Sequence, residues 1–216
     1  MQNMTRYLFA LFLMFGLWMG LAPLAGAEVI LNEVLADPMQ DWDGDGELSF
    51  KGDEWIEVLN IGLTEIDLSD YYLRDIFGTD PHLQLFGVLA PGQTAVFYGS
   101  QSMAWQRANG YSDYGFALNN NGETVELLRE LGEPGDLEFD LVDAVTLQAH
   151  ETEDDRSSGW ALDGSGWTLF DGLNDYGGSQ VPGPSGCVPT PGEPNTCEPD
   201  LPAGQETLGG VKSLYR

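Results

Sequence analysis

From Glu28 onward the chain sets short runs of aliphatic, β-branched and aromatic residues between clusters of Gly, Pro, Asn and Asp. Apolar residues almost nowhere recur at the three- and four-residue spacing of an amphipathic helix. Glu28 to Ala36 (EVILNEVLA) reads as a first strand, stopped by Asp37-Pro38. Glu54 to Asn60 (EWIEVLN) reads as a second, with Ile56 and Val58 on one face and a turn at Asn60-Ile61-Gly62. Ile66 to Asp75 follows, with Leu68 and Leu73 as core candidates, then His82 to Phe86, and Ala90-Pro91-Gly92 precedes Thr94 to Tyr98 (TAVFY). Asn121-Gly122, between Phe-Ala-Leu and Thr-Val-Glu-Leu-Leu, predicts a tight hairpin over Phe116 to Arg129, because such a pair tolerates the positive φ angles of a primed turn. Asp140 to Leu147 is a further strand, and Trp160 to Phe170, broken at Asp163-Gly164-Ser165-Gly166, reads as a last pair. Many short strands at this spacing predict an all-β sandwich. Beyond about Tyr176, Gly, Pro and Ser dominate, so 28–176 is read as the folded domain and 177–216 as an irregular tail. Within that tail, Leu208 to Arg216 places Leu208, Val211 and Leu214 on one side of one or two helical turns.

The first 27 residues change the picture of where this domain works. Arg6 is their only charge, an uncharged run from Tyr7 to Leu21 supplies an apolar stretch, and Ala25-Gly26-Ala27 offers small residues for cleavage before Glu28. Pro23 ends the run below the ~20 residues of a spanning helix, so residues 1–27 are expected to be a cleaved signal peptide that leaves no membrane anchor. Ala27 stands where a lipoprotein signal would carry Cys. A secreted or cell-surface location is therefore expected.

Charge narrows the partners. Eight basic residues face 35 acidic ones, a net charge of −27, and the Lys and Arg beyond the signal are scattered from Lys51 to Arg216 without a stripe. Attraction to nucleic acid through bulk electrostatics is excluded. Cations remain as charged partners, and self-repulsion favours a soluble monomer. The two cysteines, Cys187 and Cys197, are separated by nine residues in a Pro- and Gly-rich stretch and are expected to pair in an oxidising compartment.

Several short stretches together carry a resemblance. Leu31 to Pro38 (LNEVLADP), Asp53 to Asn60 (DEWIEVLN), Ile66-Asp67-Leu68-Ser69 with Tyr72-Leu73-Arg74-Asp75, and Leu89-Ala90-Pro91-Gly92 come first. Leu118 to Val125 (LNNNGETV), Asp163 to Trp167 (DGSGW) and Thr190 to Asn195 (TPGEPN) follow in order. The chain resembles bacterial lamin-tail domains (LTD). That resemblance implies an immunoglobulin-like β-sandwich and a non-catalytic module of a kind that is sometimes attached to secreted nucleases or other hydrolases.

One segment concentrates the acidity in a form that suggests chemistry. Asp41-Trp42-Asp43-Gly44-Asp45-Gly46-Glu47 sets alternate carboxylates around glycines that permit a sharp bend, a spacing that lets hard oxygen ligands converge on calcium. The backbone carbonyl of Glu47 is a further candidate ligand. A helix–loop–helix site would want Glu at position 52, which is Gly52, so Asp53 or Glu54 is the candidate closing ligand. The other reading is a solvated acidic loop.

The remaining candidates are weaker. His82 and His150 stand in no metal or triad spacing and read as surface residues, and Glu151 to Asp155 reads as a solvated loop. No Gly-x-Ser-x-Gly elbow occurs. Trp42, Trp55, Trp105, Trp160 and Trp167 read as core and rim, with a carbohydrate platform as the alternative. The resulting expectation is a non-enzymatic extracellular binding or scaffolding module with structural Ca2+, whose partner is an extracellular protein or polysaccharide. An accessory carbohydrate-binding module is the alternative. A metal-dependent hydrolase stands further off, since the loop carboxylates lack a His or Lys partner for general acid–base work.

Overall fold

A computed structural model describes residues 28–76, 79–132, 138–162 and 166–196. The expected signal peptide, Cys197 and the Leu208–Arg216 segment lie outside them. The element order is β1 Val29–Leu35, β2 Trp55–Asn60, β3 Ile66–Asp67, β4 Tyr71–Asp75, β5 Leu83–Gln84, β6 Val88–Leu89, β7 Thr94–Tyr98, α1 Gly99–Ala108, β8 Gly122–Leu131, β9 Glu138–Gln148, β10 Ser157–Trp160 and β11 Trp167–Phe170, with one 3-10 turn at Leu68–Asp70. The strands form a five-stranded sheet in the order β11-β10-β1-β2-β7, a four-stranded sheet in the order β5-β4-β8-β9, and a two-stranded sheet of β3 and β6. All these pairings are antiparallel. The architecture is that of an immunoglobulin-like β-sandwich, as both the turn-by-turn pattern and the resemblance imply.

One core fills the interior, and Ile56, Val58, Leu68 and Leu73 all belong to it. Strand β1 shows how a local irregularity sets which side chains point inward. Simple alternation from Val29 and Leu31 would aim Glu33 at the core. A register shift between Leu31 and Glu33 inserts one residue, so Val34 and Ala36 continue the apolar row and Glu33 turns to the outer face. There it lies opposite Glu57 of β2.

Ile66 to Asp75, read as one run, is split by the 3-10 turn into β3 and β4, which pair in different sheets, and three further features differ from the sequence expectations. Asn121-Gly122 does not turn a hairpin: 116–118 is not a strand, and Gly122, at φ 107°, opens β8 after a turn in which its N–H donates to the Asn119 carbonyl at 3.0 Å. The long hairpin is instead β8 with β9. The positive φ was legible, but its use as a strand entry was not.

Helix α1 is the second difference. Its buried residues are Gly99, Ser102 and Gln106, so no apolar stripe announces it. Ser102 Oγ donates to the His82 carbonyl at 2.8 Å, and Gln106 exchanges hydrogen bonds with the backbone of Gly115 at 2.8 and 3.0 Å.

The third difference is the acidic run after β9, expected as a solvated loop beside a surface histidine. His150 is only 5% exposed and lies against Tyr176, and Glu151, Thr152 and Asp155 are buried too. Glu151 accepts from Ser158 Oγ and Gln148 N, while Asp155 accepts from Met39 N, Gln40 Nε2 and Trp42 Nε1. Donors from other segments replace water, which is what lets the carboxylates be enclosed. His82 is half-buried, its Nδ1 3.1 Å from the Phe116 carbonyl oxygen.

The segment after β11 is irregular yet docks on the sandwich. Asp171 Oδ1 accepts from Ser185 N and Gly186 N, and Cys187 is buried and disulfide-bonded. The stretch from Thr190 to Asn195 then crosses the outer face of β1 and β2, where its hydrogen bonds reach Glu33 and Glu57.

Candidate functional site

The Asp41–Glu47 loop owes its shape to its own side chains. Asp41 Oδ1 accepts from Gly44 N at 2.8 Å and Asp45 N at 3.1 Å, and its Oδ2 accepts from Gly46 N at 2.8 Å. Asp43 Oδ1 accepts from Asp45 N at 3.0 Å, and Asp45 Oδ1 accepts from Glu47 N at 2.8 Å. Short acidic side chains capping the next backbone N–H groups favour turns over strands. Gly44 and Gly46, at φ 74° and 95°, supply the left-handed backbone the bend requires. Asp41, Asp43 and Asp45 thereby each bring one carboxylate oxygen within 4.8 Å of the others. Among the described residues this is the one such convergence of acidic, His or Cys ligands, and hard oxygens so placed suit a divalent cation.

The other predicted ligands are placed differently. Glu47 is exposed at the end of the loop. Asp53 is buried beneath it, where Oδ1 accepts from Trp42 N at 2.7 Å and Asp43 N at 3.0 Å and Oδ2 from Ser49 N at 2.7 Å. Its carboxylate therefore anchors the base of the loop. Glu54, only 3% exposed, faces the turn that carries Ala117 and Leu118. Burial pushes its carboxyl up to about 9, against the opposing pull of those two residues' N–H groups and of Lys51. Neither Asp53 nor Glu54 joins the cluster of three.

A second concentration of acid, overlooked in the sequence, lies on the outer face of β1 and β2. Glu33 accepts from Ser157 Oγ at 2.5 Å, Thr190 N at 3.1 Å and Thr190 Oγ1 at 2.8 Å. Glu57 accepts from Asn32 Nδ2 at 2.5 Å and Gly192 N at 2.6 Å. Asn195 completes the set: its Oδ1 accepts from Asn32 Nδ2 at 3.0 Å, and its Nδ2 donates to the carbonyls of Asn32 and Trp160. Enclosure raises Glu33 from 4.5 to about 7, with the Glu57 charge adding a smaller push and the Ser157 and Thr190 donors opposing it. Burial raises Glu57 too, against the Asn32, Gly192 and Thr94 donors. The signal for this network was the pair Asn32-Glu33 inside the otherwise apolar run VILNEVL.

The tryptophans do not share a face. Trp42 lies 6.0 Å from the enclosed Trp55, Trp105 stacks on Tyr111 at 5.5 Å, and Trp160 meets Trp167 edge-on at 6.1 Å, all between ring centroids. They are spread through core and rim.

With this geometry in view, comparison with known families is decisive: the Lamin Tail Domain profile matches residues 22–148, more than half of the chain. The chain belongs to the lamin tail domain family. No curated protein sequence matches it. Lamin tail domains are non-catalytic modules, and this chain is a module of that kind. The matched stretch holds the acidic loop, Glu33 and Glu57, whereas β10, β11 and the Thr190–Asn195 crossing lie beyond it. Among the described residues of this lamin tail domain no helix is long and apolar enough to cross a membrane.

Proposed function

We propose that this lamin tail domain works outside the cytoplasm as a binding or scaffolding module whose Asp41–Glu47 loop is ordered by calcium. The observation that carries the reading is the convergence of Asp41, Asp43 and Asp45 oxygens within 4.8 Å in a loop already bent by its own hydrogen bonds. A carboxylate has about four lone-pair sites, so each of the three keeps capacity for an ion beyond the N–H groups it accepts. Calcium there neutralises like charges that otherwise repel, and sites of extracellular modules bind at about 10⁻⁴–10⁻³ M. The signal-like first 27 residues and the strongly acidic composition support an extracellular setting.

Calorimetric titration tests the ion. Calcium should give a saturable heat, and the melting temperature should rise by a few degrees at concentrations about tenfold above the dissociation constant. Asp43→Asn should remove both. A chain with neither response, its fold intact by circular dichroism, has no such site. Export is tested separately by the mass of protein recovered from a secreting host, which should begin at Glu28.

A further inference from the structure

A cavity of about 620 Å³ opens between the end of β1, the approach to β2 and the 117–121 turn. Glu54 lines it, and one carboxyl oxygen, Oε2, is enclosed without any hydrogen-bond partner. A buried polar atom in that state is costly unless something fills the site. Ala117, which shares the wall, is held at φ 52°, a conformation that non-glycine residues rarely adopt and that gathers at ligand sites. Asp37 stands at the rim with Asn120 against its carboxyl and Asp154 and Asp155 near it. Phe50, 63% exposed, forms an apolar side. Lys51 is the one basic wall residue, and its Nζ lies 5.1 Å from the ring centroid of Tyr114, a residue of the adjoining cavity.

These features select among occupants. Asp37, with Asp154 and Asp155 near it, sets more negative charge on this side than Lys51 offsets, which disfavours an anion. A bare metal ion is far smaller than the space, and the wall acids do not converge as Asp41, Asp43 and Asp45 do. A neutral polyol adds nothing to offset the acids gathered around Asp37. An ammonium carries three N–H donors and no acceptor, and a flexible alkyl stem lies well on an aromatic face.

We propose that this cavity binds a primary alkylammonium group, from a partner's lysine side chain or a free diamine, with Glu54 and Asp37 receiving its N–H donors and Phe50 covering its stem. The incoming ammonium offsets the burial that holds the Glu54 proton, which passes to solvent on binding, and the site stands apart from the Asp41–Glu47 loop.

The test is calorimetry on the full chain in the presence of chelator, with 1,5-diaminopentane, N-acetyl-lysine methylamide and 1,5-pentanediol as probes. At least one amine should bind saturably, the diol should not, and both Glu54→Gln and Asp37→Asn should weaken binding about tenfold or more. Preference for the lysine derivative assigns the natural source to a partner chain, and preference for the diamine to a free amine. Silence of both amines, equal binding of the diol, affinity unchanged in either acid variant, or loss of amine binding when the chelator is replaced by excess calcium each overturn the proposal. Should Glu54→Gln fail to fold, Asp37→Asn together with Phe50→Ala at the exposed wall decides the matter.

Discussion

Replacing Glu33 by Gln should change how the stability of this domain depends on pH. In the folded chain Glu33 keeps its proton up to about 7, and at its ordinary value it does so only to 4.5. Folding therefore takes up a proton between those limits. The stability that Glu33 contributes is full below 4.5 and is lost as the pH rises through about 7. At about 1.4 kcal/mol per pH unit, that interval is worth about 3 kcal/mol. The cause is geometric, because Glu33 is enclosed opposite Glu57 and its partners, Ser157 and Thr190, are neutral. Gln has no proton to lose, so urea denaturation of both proteins at steps from about pH 4.5 to 8 isolates the effect. Relative to wild type, the variant should gain about 3 kcal/mol across the series, whatever its offset at the acid end. Relief of the neighbouring Glu57 acts in the same direction. A difference that stays flat, or a wild type that gains on the variant as the pH rises, refutes the argument that burial outweighs the donors.

Substitutions at Asn195 and at two glycines probe the packing of the same fold. Asn195→Ala removes the side chain that bridges Asn32, Thr190 and Trp160 in a buried setting and should cost about 2–3 kcal/mol by chemical denaturation. Gly99→Ala places a Cβ 1.8 Å from the Lys51 carbonyl oxygen and should cost about 2 kcal/mol or more, whereas Gly183→Ala, with its nearest atom at 3.7 Å, should be within about 0.5 kcal/mol of neutral.

The buried acids share a physical basis. With eight basic residues in the chain, carboxylates that leave water seldom meet a cation, and backbone N–H groups, hydroxyls, amides and an indole N–H satisfy them instead. Asp53 under the loop, Glu151 with Ser158, Asp155 with Trp42 and Glu33 with Thr190 are all cases. Such donors are short-ranged and directional, so each enclosed acid also fixes the position of the segment that supplies them.

What the sequence by itself determined is what depends on near neighbours. Ile56 and Val58 share a face because side chains alternate along a strand, and Asp41, Asp43 and Asp45 converge because two-residue spacing and two glycines bend the chain within a few residues. Most of the strands along the chain, and the motifs from LNEVLADP to TPGEPN, were legible for the same reason. Tertiary structure alone decided the rest. The one-residue shift in β1 that turns Glu33 outward, the polar face that seats α1, and the enclosure of Glu33, Glu54 and His150 all depend on groups supplied by distant segments, such as Thr190 for Glu33 and Pro182 for His150. A charged or polar side chain carries the same local signal whether water or a distant backbone amide satisfies it. Only the packed chain distinguishes the two.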